Sequence, residues 1–157
     1  MPKKIDLATA PTVSGTLYPP PFDRPCWKRR KIKLGDAADL TQFGVNLCTL
    51  LPGTWSSQRH WHAREDELIV VMEGEVVLVT DSGEEILKAG DSAGFKAGDK
   101  DGHHFQNRSK ADAVILEIGT RVDGDTAYYP DIDLVSPSTP GYTHRDGTPY
   151  PARPRST

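Results

Sequence analysis

Apolar and polar residues alternate, or form short apolar runs, through the middle of this chain. The pattern is clearest at residues 43–51, 68–72, 76–80 and 113–119, which are rich in Val, Ile and Leu. Turns such as Glu-Gly and Asp-Ser-Gly separate such runs at intervals of about eight to twelve residues. Short strands spaced in this way are typical of β-sandwiches and barrels. We therefore predict an all-β fold, with a barrel over residues 28–121.

Proline-rich and irregular segments flank this strand-like region. Residues 1–27 include the run Tyr-Pro-Pro-Pro-Phe at 18–22, which cannot form a regular central strand because proline lacks the backbone N–H. Residues 122–157 also lack periodicity, but their aromatic side chains favour packing over a flexible linker. The predicted organisation is a proline-rich N-terminal arm (1–27), a barrel (28–121) and an irregular C-terminal tail packed on the barrel (122–157).

A cluster of metal-ligating residue types lies in the second third of the chain. His60 and His62 are two residues apart, so on a β-strand their imidazoles point to the same side. Glu67 follows after a short bend, and the His103-His104 pair supplies a further imidazole. A mixed nitrogen and oxygen donor set suits iron, manganese, nickel or zinc better than calcium or magnesium. These residues therefore predict a site for one divalent transition metal.

The spacing of these residues and of the glycines around them resembles the two sequence motifs of the cupin superfamily. The first motif corresponds to Gly53, His60, His62, Glu67 and Gly74. The second corresponds to Gly90, Gly98, His103 and Asn107. The resemblance implies a double-stranded β-helix, or jelly-roll, barrel, and it selects His103 as the fourth metal ligand. His104 faces the other way on a strand, so we expect it to be exposed or at a subunit contact.

A narrower resemblance covers most of the chain. Residues 54–62, 93–95, 102–105, 119–121 and the Tyr-Pro-Asp-Ile-Asp-Leu segment at 129–134 are similar to a bacterial group of single-domain, conserved-barrel cupins. Members of that group are often labelled uncharacterised cupins, sugar-phosphate isomerases or oxalate-decarboxylase-like proteins. The resemblance therefore implies a small-molecule ligand but does not identify it, because one fold serves many functions.

The ligand set favours catalysis at an open metal. Four protein ligands leave up to two positions on an octahedral ion, where a substrate with adjacent oxygens could chelate. The hypothesis is a metal-dependent isomerase or lyase that uses Lewis-acid catalysis on a sugar phosphate, hydroxy-ketone or keto acid. An iron-dependent dioxygenase is one alternative, and a non-catalytic metal-containing binding or sensing module is another.

Strand parity predicts which other side chains share the metal-facing side. The predicted pocket-lining residues are Gln58, Ile69, Val71, Phe105 and Asn107. Trp61, between the two histidines, should point away from the metal. The pattern leaves the general acid or base unassigned, and the candidates are Arg59, Glu117, Arg121 and Tyr128.

The net charge and the cysteines limit the kinds of partner and the location that we expect. The net charge of −3 gives no electrostatic basis for nucleic-acid binding. We interpret the basic run at 28–31 as the solvated start of a strand, with a phosphate-binding patch as the alternative. Cys26 and Cys48 form no CxxC pair, and the sequence contains no signal-peptide or membrane-span pattern. We therefore expect a cytoplasmic protein with neither a nucleic-acid nor a membrane partner.

The quaternary state follows from the resemblance. Single-domain cupins of this kind usually pair through exposed sheet edges, and the segment at 11–27 could cover or exchange across such an edge. We therefore expect a homodimer.

Overall fold

The alternating segments of the sequence form antiparallel strands in the computed structural model, which describes residues 2–154. The strands are β1 (Thr12–Ser14), β2 (Arg29–Lys33), β3 (Phe43–Leu50), β4 (Trp61–His62), β5 (Glu67–Glu73), β6 (Glu75–Thr80), β7 (Gly83–Lys88), β8 (Ser92–Phe95), β9 (His104–Gln106), β10 (Ala113–Thr120), β11 (Ala127–Tyr128) and β12 (Val135–Ser136). A 3-10 turn spans Arg24–Cys26 and a one-turn helix, α1, spans Leu34–Ala37. The all-β prediction is confirmed.

Two sheets face each other to form the barrel. Over residues 2–154, the larger sheet has the order β1-β2-β3-β10-β5-β8 and the sheet opposite it has the order β7-β6-β9. A third, small sheet of β12-β11-β4 lies at one side. The segment before β4 extends the barrel wall, because His60 and His103 exchange backbone hydrogen bonds of 3.1 and 2.9 Å.

The apolar core fills one end of the barrel and stops part-way along β10. Residues two apart on a strand face the same way, so Ala113, Ile115, Glu117 and Gly119 share the inward side of β10. The first two are fully buried in the core. Glu117 lies opposite Ile69, and Gly119 lies opposite Glu67. The inward side thus changes from apolar to polar and small, which leaves room for a polar cavity at that end.

The arm and the tail pack together in a second apolar cluster. Its buried members are Tyr18, Cys26, Ala127, Tyr129 and Leu134. The Tyr18 and Tyr129 rings meet edge to face at a centroid distance of 5.7 Å. Both flanking segments therefore contribute ordered structure, including the short strands β1, β11 and β12.

The arm also covers a sheet edge of its own chain. Strand β1 pairs antiparallel with β2, with Val13 opposite Lys31. Backbone groups at that edge are therefore already paired within one chain. The homodimer stays a prediction. Among the described residues, no helix is long and apolar enough to span a membrane.

Truncating Leu134 should loosen the tail from the barrel. Leu134 is fully buried in the second cluster, so Leu134→Ala should lower the free energy of unfolding by about 2–5 kcal/mol. Leu40→Ala is the control, because Leu40 is 44% exposed and its loss should change stability by less than about 0.5 kcal/mol. Urea denaturation measures both, and equal effects would show that the tail adds little to stability.

Candidate metal centre

Three side chains offer ligand atoms within a small volume at the polar end of the barrel. One atom each from His60, His62 and Glu67 forms a group in which all atoms lie within 4.8 Å of one another. His60 lies in the segment paired with His103, His62 is in β4, and Glu67 begins β5. All three side chains therefore lie at or next to the ends of strands.

The inner ring nitrogens point at the Glu67 carboxylate without close contact. The Nε2 of His60 lies 3.7 Å from Oε2, and the Nε2 of His62 lies 3.5 Å from Oε1. Both distances exceed an ordinary N–H···O hydrogen bond. The arrangement leaves space between the three donors.

Hydrogen bonds to the outer nitrogens fix both rings. The Nδ1 of His60 donates to the backbone carbonyl of Gln58 at 2.9 Å, and the Nδ1 of His62 donates to Asp125 Oδ2 at 2.6 Å. Since Nδ1 carries the proton in each ring, the Nε2 of neutral imidazole is free to bind a metal. Such partners set the tautomer and orientation of metal-binding histidines.

His103 approaches the group through Glu67. Its Nε2 donates to Oε2 of Glu67 at 2.7 Å, and its ring stacks on the Phe95 ring with a centroid distance of 3.5 Å. The buried Nδ1 of His103 has no hydrogen-bond partner among residues 2–154. His103 is not one of the group whose donors all lie within 4.8 Å of one another. It would join a metal only by giving up its hydrogen bond to Glu67.

The charges of the group are strongly coupled. Burial, with help from the neighbouring imidazoles, outweighs the attraction of Glu67 and lowers the pKa of His60 to about 3. For His62, burial opposes the charged form, but contacts with Glu67 and Asp125 outweigh it and raise the pKa to about 9. Burial also opposes ionisation of Glu67, yet the hydrogen bond from His103 and the nearby His62 imidazole hold its pKa well below the usual range. The site therefore has neutral His60, charged His62 and an ionised carboxylate at neutral pH.

This donor set fits a divalent transition metal. It combines imidazole nitrogens that have fixed tautomers with one carboxylate, which is the chemistry such ions prefer. A second group, His62, Glu65 and Asp125, also lies within 4.8 Å. In this second group, Asp125 accepts a hydrogen bond from Nδ1 of His62, the ring nitrogen that points away from Glu67. We therefore assign Asp125 the role of orienting the His62 ring.

A polar cavity of about 230 Å³ opens beside these residues. His60, His62, Glu67 and His103 line it. Of the pocket-lining predictions, Ile69 and Phe105 are there. Its other polar lining includes Arg29, Lys31, Asn46, Glu117 and Arg121. Lys31 and Glu117 form a 2.9 Å ion pair in its wall.

A second cavity of about 310 Å³ reaches His62, Glu67 and His103 from another side. Its apolar lining includes Leu78 and Phe95. Besides Glu67, its acidic residues are Glu65, Glu85, Asp99 and Asp101. The first cavity therefore suits an anionic ligand better than the second.

The sequence and the fold match known proteins. The cupin domain family matches residues 46–119. A protein of Silicibacter pomeroyi, described as a sugar phosphate isomerase from the cupin superfamily, is 43% identical, with 96% of this chain and 98% of that chain covered and a TM-score of 0.90. This chain belongs to the cupin superfamily. The jelly-roll prediction is thereby confirmed.

Two further solved structures have lower sequence identity to this chain. A protein of Acidithiobacillus ferrooxidans, described as a candidate sugar phosphate isomerase, is 26% identical, with 80% of this chain and 82% of that chain covered and a TM-score of 0.70. A Thermotoga maritima protein, described as an oxalate decarboxylase on the basis of prediction, is 21% identical over 59% of this chain and 76% of that chain, with a TM-score of 0.50, and shares the fold alone. No match was found among curated proteins.

Three pocket-lining predictions are wrong. Gln58 turns its amide away to donate to the Phe22 carbonyl at 2.7 Å, because residues 56–59 are bends and not a strand. Val71 shares the inward side of β5 but lies in the packed core. Asn107 follows β9 and holds a loop, with its amide donating to the carbonyls of Leu50 and Ala111.

The predicted exposure of His104 is also wrong. It does face away from His103, but the segment before β4 covers it. Its Nδ1 donates to the Ser57 carbonyl at 2.8 Å, and its ring packs on Trp55 at 4.7 Å. Trp61 points away from the ligand group and stacks on Tyr128 at 4.6 Å.

Two features of the site were missed in the sequence. Asp125 lies in the tail, far from both motifs, and nothing in local spacing marks it. The basic run at 28–31 was interpreted as solvated, yet Arg29 and Lys31 line the cavity while Arg30 is exposed. Alternation along a strand was the signal that could have separated Arg29 from Arg30.

Asp125→Asn should weaken metal binding while leaving the fold intact. The amide cannot supply the charge that orients His62, so we expect a loss of about 10- to 100-fold in metal affinity. Asp123→Asn is the matched control, because Asp123 is exposed in the same loop. Competition with a chromogenic chelator measures both proteins. Equal affinities would contradict the role given to Asp125.

Metal binding should release about one proton at pH 7. His62, with its pKa raised to about 9, carries a proton in the metal-free protein, and a metal ligand must be deprotonated. Apparent affinity should therefore rise with pH, up to about pH 9. Calorimetry in two buffers of different ionisation enthalpy counts the protons. A heat that does not depend on the buffer would contradict a charged His62.

Proposed function

We propose that this cupin is a metal-dependent enzyme that isomerises or cleaves a small, oxygenated, anionic metabolite. The observation that carries the proposal is one cavity lined both by His60, His62, Glu67 and His103 and by basic side chains. A single oxygen-rich metabolite could meet both groups. The candidate substrates are sugar phosphates, hydroxy-ketones and keto acids.

The bound metal would supply Lewis-acid catalysis. His60, His62, Glu67 and His103 would hold the ion, and manganese, iron, nickel or zinc fits their donors. A divalent ion polarises a carbonyl oxygen and lowers the cost of enolate formation. The remaining chemistry is proton transfer at carbon, which requires a group from the chain.

Glu117 is our candidate for that proton transfer. Its carboxylate lies in the cavity wall, and its Oε1 has no hydrogen-bond partner among the described residues. Since Gly119 is opposite Glu67 and Glu117 is opposite Ile69, Glu117 lies diagonally from Glu67, at about 7 Å between Cα atoms. A metabolite between the two could expose a C–H to Glu117.

The other candidates for acid–base catalysis are less well placed. Arg59 is outside the cavity, where it donates two hydrogen bonds to Asp131 at 2.8 and 2.9 Å. Tyr128 stacks on Trp61 and does not line the cavity. Arg121 lines the cavity, but an arginine stays protonated and is a poor base.

The solved relatives support an isomerase. The Silicibacter pomeroyi protein is described as a sugar phosphate isomerase, and this chain covers almost all of it. The Acidithiobacillus ferrooxidans protein has a similar description. The same enolisation step would serve a lyase, so the proposal covers both an isomerase and a lyase.

Deuterium incorporation tests the proposal without knowledge of the product. The metal-loaded protein is incubated in D2O with a panel of sugar phosphates, hydroxy-ketones and keto acids, and exchange at carbon is followed by NMR. We expect metal-dependent exchange with at least one compound. Oxygen consumption without exchange would overturn the proposal in favour of a dioxygenase, and no reaction with bound metal would favour a binding module.

Variants of two glutamates separate metal binding from proton transfer. Glu67→Gln should lose both metal and exchange. Glu117→Gln should keep its metal, measured by plasma mass spectrometry, and lose about 10²- to 10⁴-fold in exchange rate. Glu73→Gln is the control, because Glu73 is exposed at the far end of the same strand as Glu67. An unchanged exchange rate in Glu117→Gln would exclude Glu117 as the base.

A further inference from the structure

Arg29 places a cation in the cavity without a matching carboxylate. Its Nε donates to the Gly15 carbonyl at 3.0 Å, and its Nη1 donates to the Ser56 carbonyl. Both acceptors are neutral. Among residues 2–154, no carboxylate forms a salt bridge with Arg29.

The other groups around Arg29 do not neutralise it. The Tyr18 ring lies 5.8 Å from the guanidinium carbon. Burial raises the pKa of Tyr18 and of Cys48, and raises that of Cys26 to about 11, so all three keep their protons at neutral pH. The carboxylate of Glu117 is held by Lys31 at 2.9 Å. Glu117 attracts the Arg29 cation at longer range, but no carboxylate among residues 2–154 pairs with the guanidinium directly.

A charge that is largely removed from water and forms no salt bridge is costly for a fold. An apolar residue at this position would avoid that cost, and a lysine would carry the charge without the planar fork. The guanidinium instead presents a planar fork that matches the two oxygens of a carboxylate or phosphate. Its accessible part faces the cavity, since Arg29 is part of the cavity lining.

We propose that Arg29 is the anion-binding, specificity-determining residue of the cavity, and that it takes the carboxylate or phosphate group of the ligand. The proposal rests on the proposed function for the identity of that ligand, because Arg29 and the metal ligands line the same cavity. Lys31 is already paired with Glu117, and Arg121 lies 3.8 Å from Glu65 at the cavity rim. Arg29 is thus the cation left to meet an incoming anion.

The test is anion binding to chelator-treated protein, so that a metal cannot bind the probe. Inorganic phosphate and acetate are titrated separately, against sodium chloride at matched ionic strength. The readouts are the melting temperature and isothermal calorimetry, because a ligand that binds the folded state raises its stability. We expect one or both probes to stabilise the wild type. Phosphate alone would indicate a phosphomonoester, and acetate alone would indicate a carboxylate.

Arg29→Met should weaken binding of the effective probe by about 10- to 100-fold, as expected for loss of charged hydrogen bonds. Arg30→Met is the matched control, because Arg30 is the next residue of β2 and is exposed. Its affinity should equal that of the wild type. No response in the wild type beyond that to chloride, or full affinity in Arg29→Met, would overturn the proposal.

Two further measurements keep the outcome unambiguous. Arg29→Lys keeps the charge but loses the planar fork, so we expect its anion affinity to lie between those of the wild type and Arg29→Met. Wild-type affinity in Arg29→Lys would overturn the proposal. This variant therefore tests the proposal even if Arg29→Met does not fold. Metal content of each variant is measured in parallel. Loss of anion binding with full metal content isolates Arg29, whereas anion binding by a wild type that takes up no metal would refute the proposed function alone.

Discussion

The antiparallel register of β10 between β3 and β5 is the constraint on which the site depends. This register places Ala113 and Ile115 in the core. It also places Glu117 opposite Ile69, and Gly119 opposite Glu67. Because side chains alternate strictly along a strand, one face carries both the apolar packing and the polar cavity. A shift of one residue would turn Glu117 outward and the whole apolar set away from the core.

The second requirement is the tail, which reaches the site through hydrogen bonds. Strand β11 pairs with β4, so that Ala127 lies opposite His62. This pairing brings Asp125 to Nδ1 of His62. Packing of Leu134 and Tyr129 against Tyr18 and Cys26 stabilises the same segment. Stability of the tail and geometry of the metal ligands are therefore coupled.

The cavity keeps polar groups available for ligands. The Nε2 atoms of His60 and His62 are only loosely paired with Glu67, and Arg29 lines the same cavity with no salt bridge to a carboxylate among the described residues. Removing such groups from water costs free energy, and the core and the second apolar cluster stabilise the fold against that cost. A metal cation at the histidines and an anionic group at Arg29 would add partners for these groups.

The identity of the ligand-type residues and the strand-rich fold could be predicted from the sequence, because both depend on short-range spacing. His60 and His62 are two residues apart on the chain, and their common direction follows from strand geometry. The predictions for β3, β5, β6 and β10 rested on the same alternation. Spacing also singled out Glu67, and the motif resemblance chose His103 over His104.

Predictions from strand alternation were wrong where the backbone leaves the strand or where a distant segment covers the strand. Gln58 lies in bends, so its carbonyl and not its amide serves His60. His104 is on the expected face, but Trp55 and Ser57 bury it. Asp125 becomes a partner of His62 only because the tail folds back on β4. The sequence by itself determined the residues that can bind a metal. The tertiary structure decided their partners, the shape of the cavity and the place of Arg29 in its lining, since these depend on contacts between residues far apart in the chain.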